Sequence, residues 1–156
     1  MKRIISFLFT ILITTIGFAQ DKVNFKADIS NRNGDVIYIK DANNQTVKEI
    51  KVNDKGVFES SFEIVEGNYT MYDGVEYAQL FLKNGYDLKL KMDAKKFDES
   101  IVFKGKGANE NNFLAQIAMV NEKVDFEAML ASDEENFNTK VAELEKSFIS
   151  LIEKSK

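Results

Sequence analysis

The sequence predicts a mainly β protein: an antiparallel β-sandwich or curled meander of about eight short strands, followed by a C-terminal two-helix segment. Three observations carry this prediction. Apolar and polar residues alternate with period two in segments reaching to about Lys104, and Gly, Asn and Asp clusters separate those segments. Beyond Gly105-Lys106-Gly107 the apolar spacing changes to fours and threes, the helical period.

The first strand is the cleanest. Val23, Phe25, Ala27 and Ile29 alternate with Asn24, Lys26, Asp28 and Ser30, which gives one apolar and one polar face. The same pattern returns in Phe58, Phe62 and Ile64, and again in Tyr86, Leu88, Leu90 and Met92. One solvated face per strand points to antiparallel sheets. Val36 to Ile39, Thr46 to Val52, Tyr69 to Tyr72, Tyr77 to Leu82 and Ile101 to Lys104 complete the set, all rich in β-branched or aromatic residues. Asn33-Gly34 and Asn84-Gly85 supply hairpin-type turn residues; Asp54-Lys55-Gly56, Glu66-Gly67-Asn68 and Asp73-Gly74 act similarly. No proline interrupts any strand.

In the helical part, Asn109 is the expected cap of a helix carrying Phe113, Ile117, Val120 and Val124, with Leu114 and Ala118 widening the stripe. A second helix is expected from Ser132, which forms a capping box with Glu135. Its apolar line, Phe137, Val141, Leu144, Phe148 and Leu151, is narrow and flanked by charges, so it suits packing along one partner helix. The preceding helix is the expected partner, and a surface outside this chain is the alternative. Lys154 and Lys156 suit a helix C-terminus, but no Gly or Asn cap follows, an ending that fits a cut chain as well as a capped one.

The N-terminus reads as a cleavable signal peptide over residues 1–19. Lys2 and Arg3 precede an apolar run from Ile4 to Ile16, and Gly17-Phe18-Ala19 places small residues for a cut between Ala19 and Gln20. The run is shorter than the roughly 20 residues of a membrane span and polar residues follow directly. A periplasmic or secreted product is expected, with no later membrane span. The division is residues 1–19 as signal peptide, 20–106 as β domain and 107–156 as a helical hairpin or linker helices.

The chain has no Cys and no His. Thiol chemistry, the usual base of Ser or Cys nucleophiles, and the ordinary zinc, haem and copper ligand sets are thereby removed. No metal and no cofactor is expected, and no catalytic residue is nominated. The formal net charge of −4, which loss of Lys2 and Arg3 lowers by two, disfavours nucleic acid. Gly105-Lys106-Gly107 lacks the rest of any phosphate-binding fingerprint and reads as a strand-to-helix turn. Asn31 to Asp35 lacks the acids of a calcium loop and reads as a hairpin. The sequons at Asn44 and Asn68 read as turn residues. The candidate ligand surface is the Tyr72 to Tyr77 hairpin, where Tyr72, Asp73, Glu76 and Tyr77 bring two aromatics and two acids to one turn.

Four blocks occur in order: Asn33-Gly34-Asp35-Val36-Ile37-Tyr38-Ile39, Val52 to Phe58, Leu80 to Leu88, and Phe103-Lys104-Gly105-Lys106-Gly107-Ala108-Asn109-Glu110-Asn111-Asn112-Phe113-Leu114. Their order and spacing resemble the uncharacterised β domain at the N-terminus of exported thioredoxin-like thiol-disulfide oxidoreductases of Bacteroidota. In that family a thioredoxin fold with a Cys-x-x-Cys motif follows, and here that part is missing. The resemblance implies a non-catalytic accessory or interaction domain, with a thioredoxin-like domain or protein as partner. The alternative is a free-standing envelope protein that binds a peptide, glycan or small ligand on its β surface.

Overall fold

The computed structural model describes residues 21–155, so the expected signal peptide and its expected cut lie outside the described residues. Eight strands form two four-stranded sheets: β1 (Val23–Ser30), β2 (Val36–Lys40), β3 (Thr46–Lys51), β4 (Phe58–Phe62), β5 (Gly67–Tyr72), β6 (Tyr77–Leu82), β7 (Asp87–Asp93) and β8 (Val102–Lys106). One sheet has the order β4-β1-β7-β8, the other β3-β2-β5-β6. The helices are a four-residue turn α1 (Phe97–Ser100), then α2 (Ala108–Glu122), α3 (Phe126–Leu130) and α4 (Glu134–Lys154).

The alternation in the sequence becomes the sandwich interior. Val23, Phe25, Ala27 and Ile29 from β1 meet Phe58 and Phe62 from β4, Leu88, Leu90 and Met92 from β7, and Ile37, Ile39, Met71, Leu80 and Leu82 of the facing sheet in one buried cluster. Each such Leu, Ile or Phe stabilises the fold by about 1.5–3 kcal/mol when fully buried, before the cost of ordering it. The opposite residues of β1 and β7 are exposed, as their sequence predicts, except for Asp93 at the end of β7, which is half-buried.

The expectation of purely antiparallel sheets is corrected in one place. β1 and β7 run parallel, with Asn24 opposite Asp87 and Ser30 opposite Asp93. A parallel neighbour needs a long crossover; here the whole β2–β6 segment supplies it. The turn signals are reinterpreted for the same reason. Only Asp41 to Gln45 and Asp73 to Glu76 close tight hairpins within a sheet, whereas residues 31–35, 53–57, 63–66 and 83–86 carry the chain between sheets. Positive φ falls at Asn31 and Asn44, with no such value at Asn33 or Gly34. The Asn31 to Asp35 hairpin is therefore a sheet-to-sheet link. Asn44 is a turn residue, but Asn68 lies within β5.

One side of the sandwich is closed by the β3–β4 link, with an isolated bridge between Val52 and Phe58. The other side is closed by α2, which packs on β6, β8 and α4. Its start differs from expectation: Gly107, at φ 98°, precedes the helix, and Asn109 lies inside it. A side chain at Gly107 would overlap the Tyr86 ring, and one at Gly105 would overlap the Asp87 carbonyl oxygen. The two glycines thus permit close backbone approach, and the strand-to-helix turn reading stands on contact.

The second helix is also moved. Its cap is Asp133, whose carboxylate accepts from the Asn136 amide at 2.9 Å, because Ser132 instead donates its hydroxyl to the Met129 carbonyl. That carbonyl belongs to α3, a short helix that the sequence reading did not separate and that leaves Val124 outside α2. α4 packs along α2 and α3.

Candidate functional site

Period two fixes which side chains leave the β3-β2-β5-β6 sheet outward. In β2 these are Val36, Tyr38 and Lys40, flanking buried Ile37 and Ile39; in β5, Asn68, Thr70 and Tyr72; in β6, Tyr77, Gln79 and the half-buried Phe81. Registers then place Tyr38 opposite Tyr72 and Tyr72 opposite Tyr77, a tyrosine row across three strands. The next row is Lys40, Thr70 and Gln79.

The rings of Tyr72 and Tyr77 stack with centroids 4.4 Å apart and planes 20° from parallel. Tyr38 lies 6.3 Å from Tyr72 in a tilted arrangement. Lys40 Nζ sits 4.9 Å from the Tyr72 centroid and 5.7 Å from that of Tyr77, within cation–π range of both. The Tyr72 hydroxyl donates to the Gly74 carbonyl at 2.6 Å, which fixes its ring. Tyr77 remains 50 % exposed.

Of the four nominated residues, the structure brings Tyr72 and Tyr77 together and separates the acids. Asp73 is 3 % exposed and faces into the turn. Its carboxylate accepts from the amides of Val75 and Glu76 at 2.9 and 2.8 Å, and from the Asn33 side chain at 2.9 Å. Asp73 therefore ties the hairpin to the β1–β2 link and does not offer its carboxylate to a ligand. Glu76 is exposed and contributes, after burial itself, to holding the Asp98 carboxyl above its ordinary pKa; Glu99 adds to the same effect.

A surface depression of about 480 Å³ borders the row. Tyr77 forms one wall, the Asp41 to Asn44 turn another, and Asn68, Thr70 and Gln79 lie between, with Tyr69 also at the lining. Asp41 is committed to the turn, accepting from the amides of Asn43 and Gln45. The sequence reading missed Tyr38, Lys40, Thr70 and Gln79; their outward parity was legible, but their adjacency depends on strand order.

On the second nominated surface, Phe137, Leu144, Phe148 and Leu151 are half-buried and Val141 is exposed. Ile149 and Ile152 of α4 are 48 % and 47 % exposed. Among the described residues no three Asp or Glu side chains gather as a metal site, and no helix is long and apolar enough to cross a membrane. No family model, curated protein or solved structure matches the chain.

Proposed function

We propose that this chain is a non-catalytic, exported interaction domain that engages its partner through the outer face of the β3-β2-β5-β6 sheet. The observation that carries the reading is the Tyr72–Tyr77 stack, set in a row with Tyr38 and capped by Lys40. Aromatic side chains offer large, rigid contact area with a polar handle, and little rotamer freedom is lost when a ring is already held by neighbours. The hydroxyl bond from Tyr72 to Gly74 and the ring stack supply that preorganisation here. The test is a binding screen of the full chain against peptide and glycan arrays. Binding that disappears in the Tyr72→Ala, Tyr77→Ala double variant, with the unfolding midpoint retained, supports the surface; binding that persists discards it.

A second reading, an accessory domain packed on a thioredoxin-like module, is favoured by the ordered sequence blocks and by exposed Ile149 and Ile152. Co-purification with a thioredoxin-like protein that ends in the Ile149→Asp, Ile152→Asp variant supports it. Co-purification unchanged by that variant removes α4 from the interface.

A further inference from the structure

We infer that the depression beside Tyr77 is a binding subsite for an uncharged saccharide, an inference that rests on the sheet-face reading and names its ligand class. The lining chemistry selects the class. Asn44, Asn68, Thr70 and Gln79 present amides and a hydroxyl, and none of their side chains takes part in a hydrogen bond among the described residues. Each of these groups both donates and accepts, as sugar hydroxyls do. An anion would instead call for convergent cations; among the described residues the lining has no Lys or Arg, and Lys40, in the adjoining row, is engaged with the Tyr72 and Tyr77 rings. An apolar peptide side chain would call for an apolar pocket, whereas this lining is mixed, with Asn44, Asn68, Thr70 and Gln79 set beside the Tyr77 ring.

The aromatic wall completes the match. One face of Tyr77 is covered by Tyr72 while half of the residue stays accessible, so the ring is braced from behind and open toward the depression. A sugar ring turns its C–H groups toward such a surface and its hydroxyls toward the edge. The Asx-type turn at Asp41, held by two amide bonds, fixes the opposite wall before any ligand arrives. The volume of about 480 Å³ lies within the range of small-molecule sites.

The experiment titrates the full chain with neutral glucose-, mannose- and galactose-based di- and trisaccharides, and separately with extended uncharged peptides. Binding is read by calorimetry, which needs no reporter residue and so compares the parent with Tyr77→Ala directly. We expect saturable saccharide binding that weakens about tenfold or more in Tyr77→Ala and in the Asn68→Ala, Gln79→Ala double variant, a loss of at least ~1.4 kcal/mol. Tyr77→Phe, which keeps the ring, should recover most of the binding that Tyr77→Ala loses, and Lys91→Ala, exposed on β7 of the other sheet, should bind as the parent does. Peptide binding without saccharide binding overturns the ligand class and leaves the sheet-face reading intact. Saccharide binding insensitive to the depression variants overturns the subsite. Binding of neither probe overturns the saccharide inference, and the array screen then decides the broader reading on its own.

Discussion

Asn111 grips Phe81 through both of its backbone groups: its side-chain oxygen accepts from the Phe81 amide at 3.0 Å and its side-chain nitrogen donates to the Phe81 carbonyl at 2.9 Å. The next residue, Asn112, does the same to Phe103, at 2.8 and 2.9 Å. Phe81 lies on β6 and Phe103 on β8, the edge strands of the two sheets. Two consecutive amides on α2 thus stand in for the missing neighbour strands, satisfy edge backbone groups and tie the sheets together.

Asn111 is fully buried and also donates to the Gly107 carbonyl at 2.8 Å, so Asn111→Ala leaves several polar groups without partners. We expect destabilisation of about 2–3 kcal/mol. Asn112→Ala should cost less, because Asn112 is only half-buried. Urea unfolding of both variants checks the order.

Gly107→Ala and Gly105→Ala should each destabilise by about 3 kcal/mol or more, from positive φ combined with overlap. They differ in rescue. Gly107 is blocked by the Tyr86 side chain, so Tyr86→Ala should offset part of the Gly107→Ala effect. Gly105 is blocked by the Asp87 carbonyl, and no side-chain truncation should relieve it. Double-mutant cycles by thermal unfolding distinguish the two.

Two carboxylates should impose opposite pH slopes. A hydrogen bond from Asn31, then one from the Lys95 amide, holds Asp93 below its ordinary pKa. Its contribution is full above the ordinary value of 3.8 and is lost as pH falls through the lower folded value. Asp98 is raised, first by burial and then by Glu76 and Glu99, so the folded state retains its proton longer. Stability is therefore lost as pH rises from the ordinary value through the raised one. Asp93→Asn should flatten the acid limb of the stability curve. Asp98→Asn should raise stability near neutrality relative to its effect in acid. Urea midpoints from pH 3 to pH 7 measure both.

Phe148→Ala should loosen α4 by about 1–3 kcal/mol, since its ring is half-buried where α4 packs on the preceding helices. Ile149→Ser, one residue on and 48 % exposed, should change stability by about 0.5 kcal/mol or less. Amide exchange along Glu134–Lys154 should accelerate in the first variant and stay unchanged in the second.

Much of this architecture was legible because strand patterning is local. Val23 to Ser30 alternates strictly in sequence, and its burial alternates strictly in the fold. Tyr72 and Tyr77 were legible as a surface pair because a four-residue turn brings them opposite each other. Asp73 was misread for an equally physical reason: an acid in a turn looks the same in sequence whether it faces solvent or binds turn amides, and the burying partner, Asn33, lies 40 residues away. The shift of the helix cap from Ser132 to Asp133 has a similar cause, since both are capable caps and the short α3 engages the serine first.

The sequence by itself determined the strand segments, the inward face of β1, β4 and β7, the helical C-terminal part and the lack of Cys and His in the chain. Those properties follow from residue type and from periods of two and three to four residues. Only the tertiary structure decided that β1 lies parallel to β7, that most turns cross between sheets, and that Tyr38, Lys40, Thr70 and Gln79 join the Tyr72–Tyr77 stack. These relationships connect residues distant along the chain. The same Asn and Gly chemistry reverses a chain within a sheet or between two, and burial against remote neighbours selects the outcome.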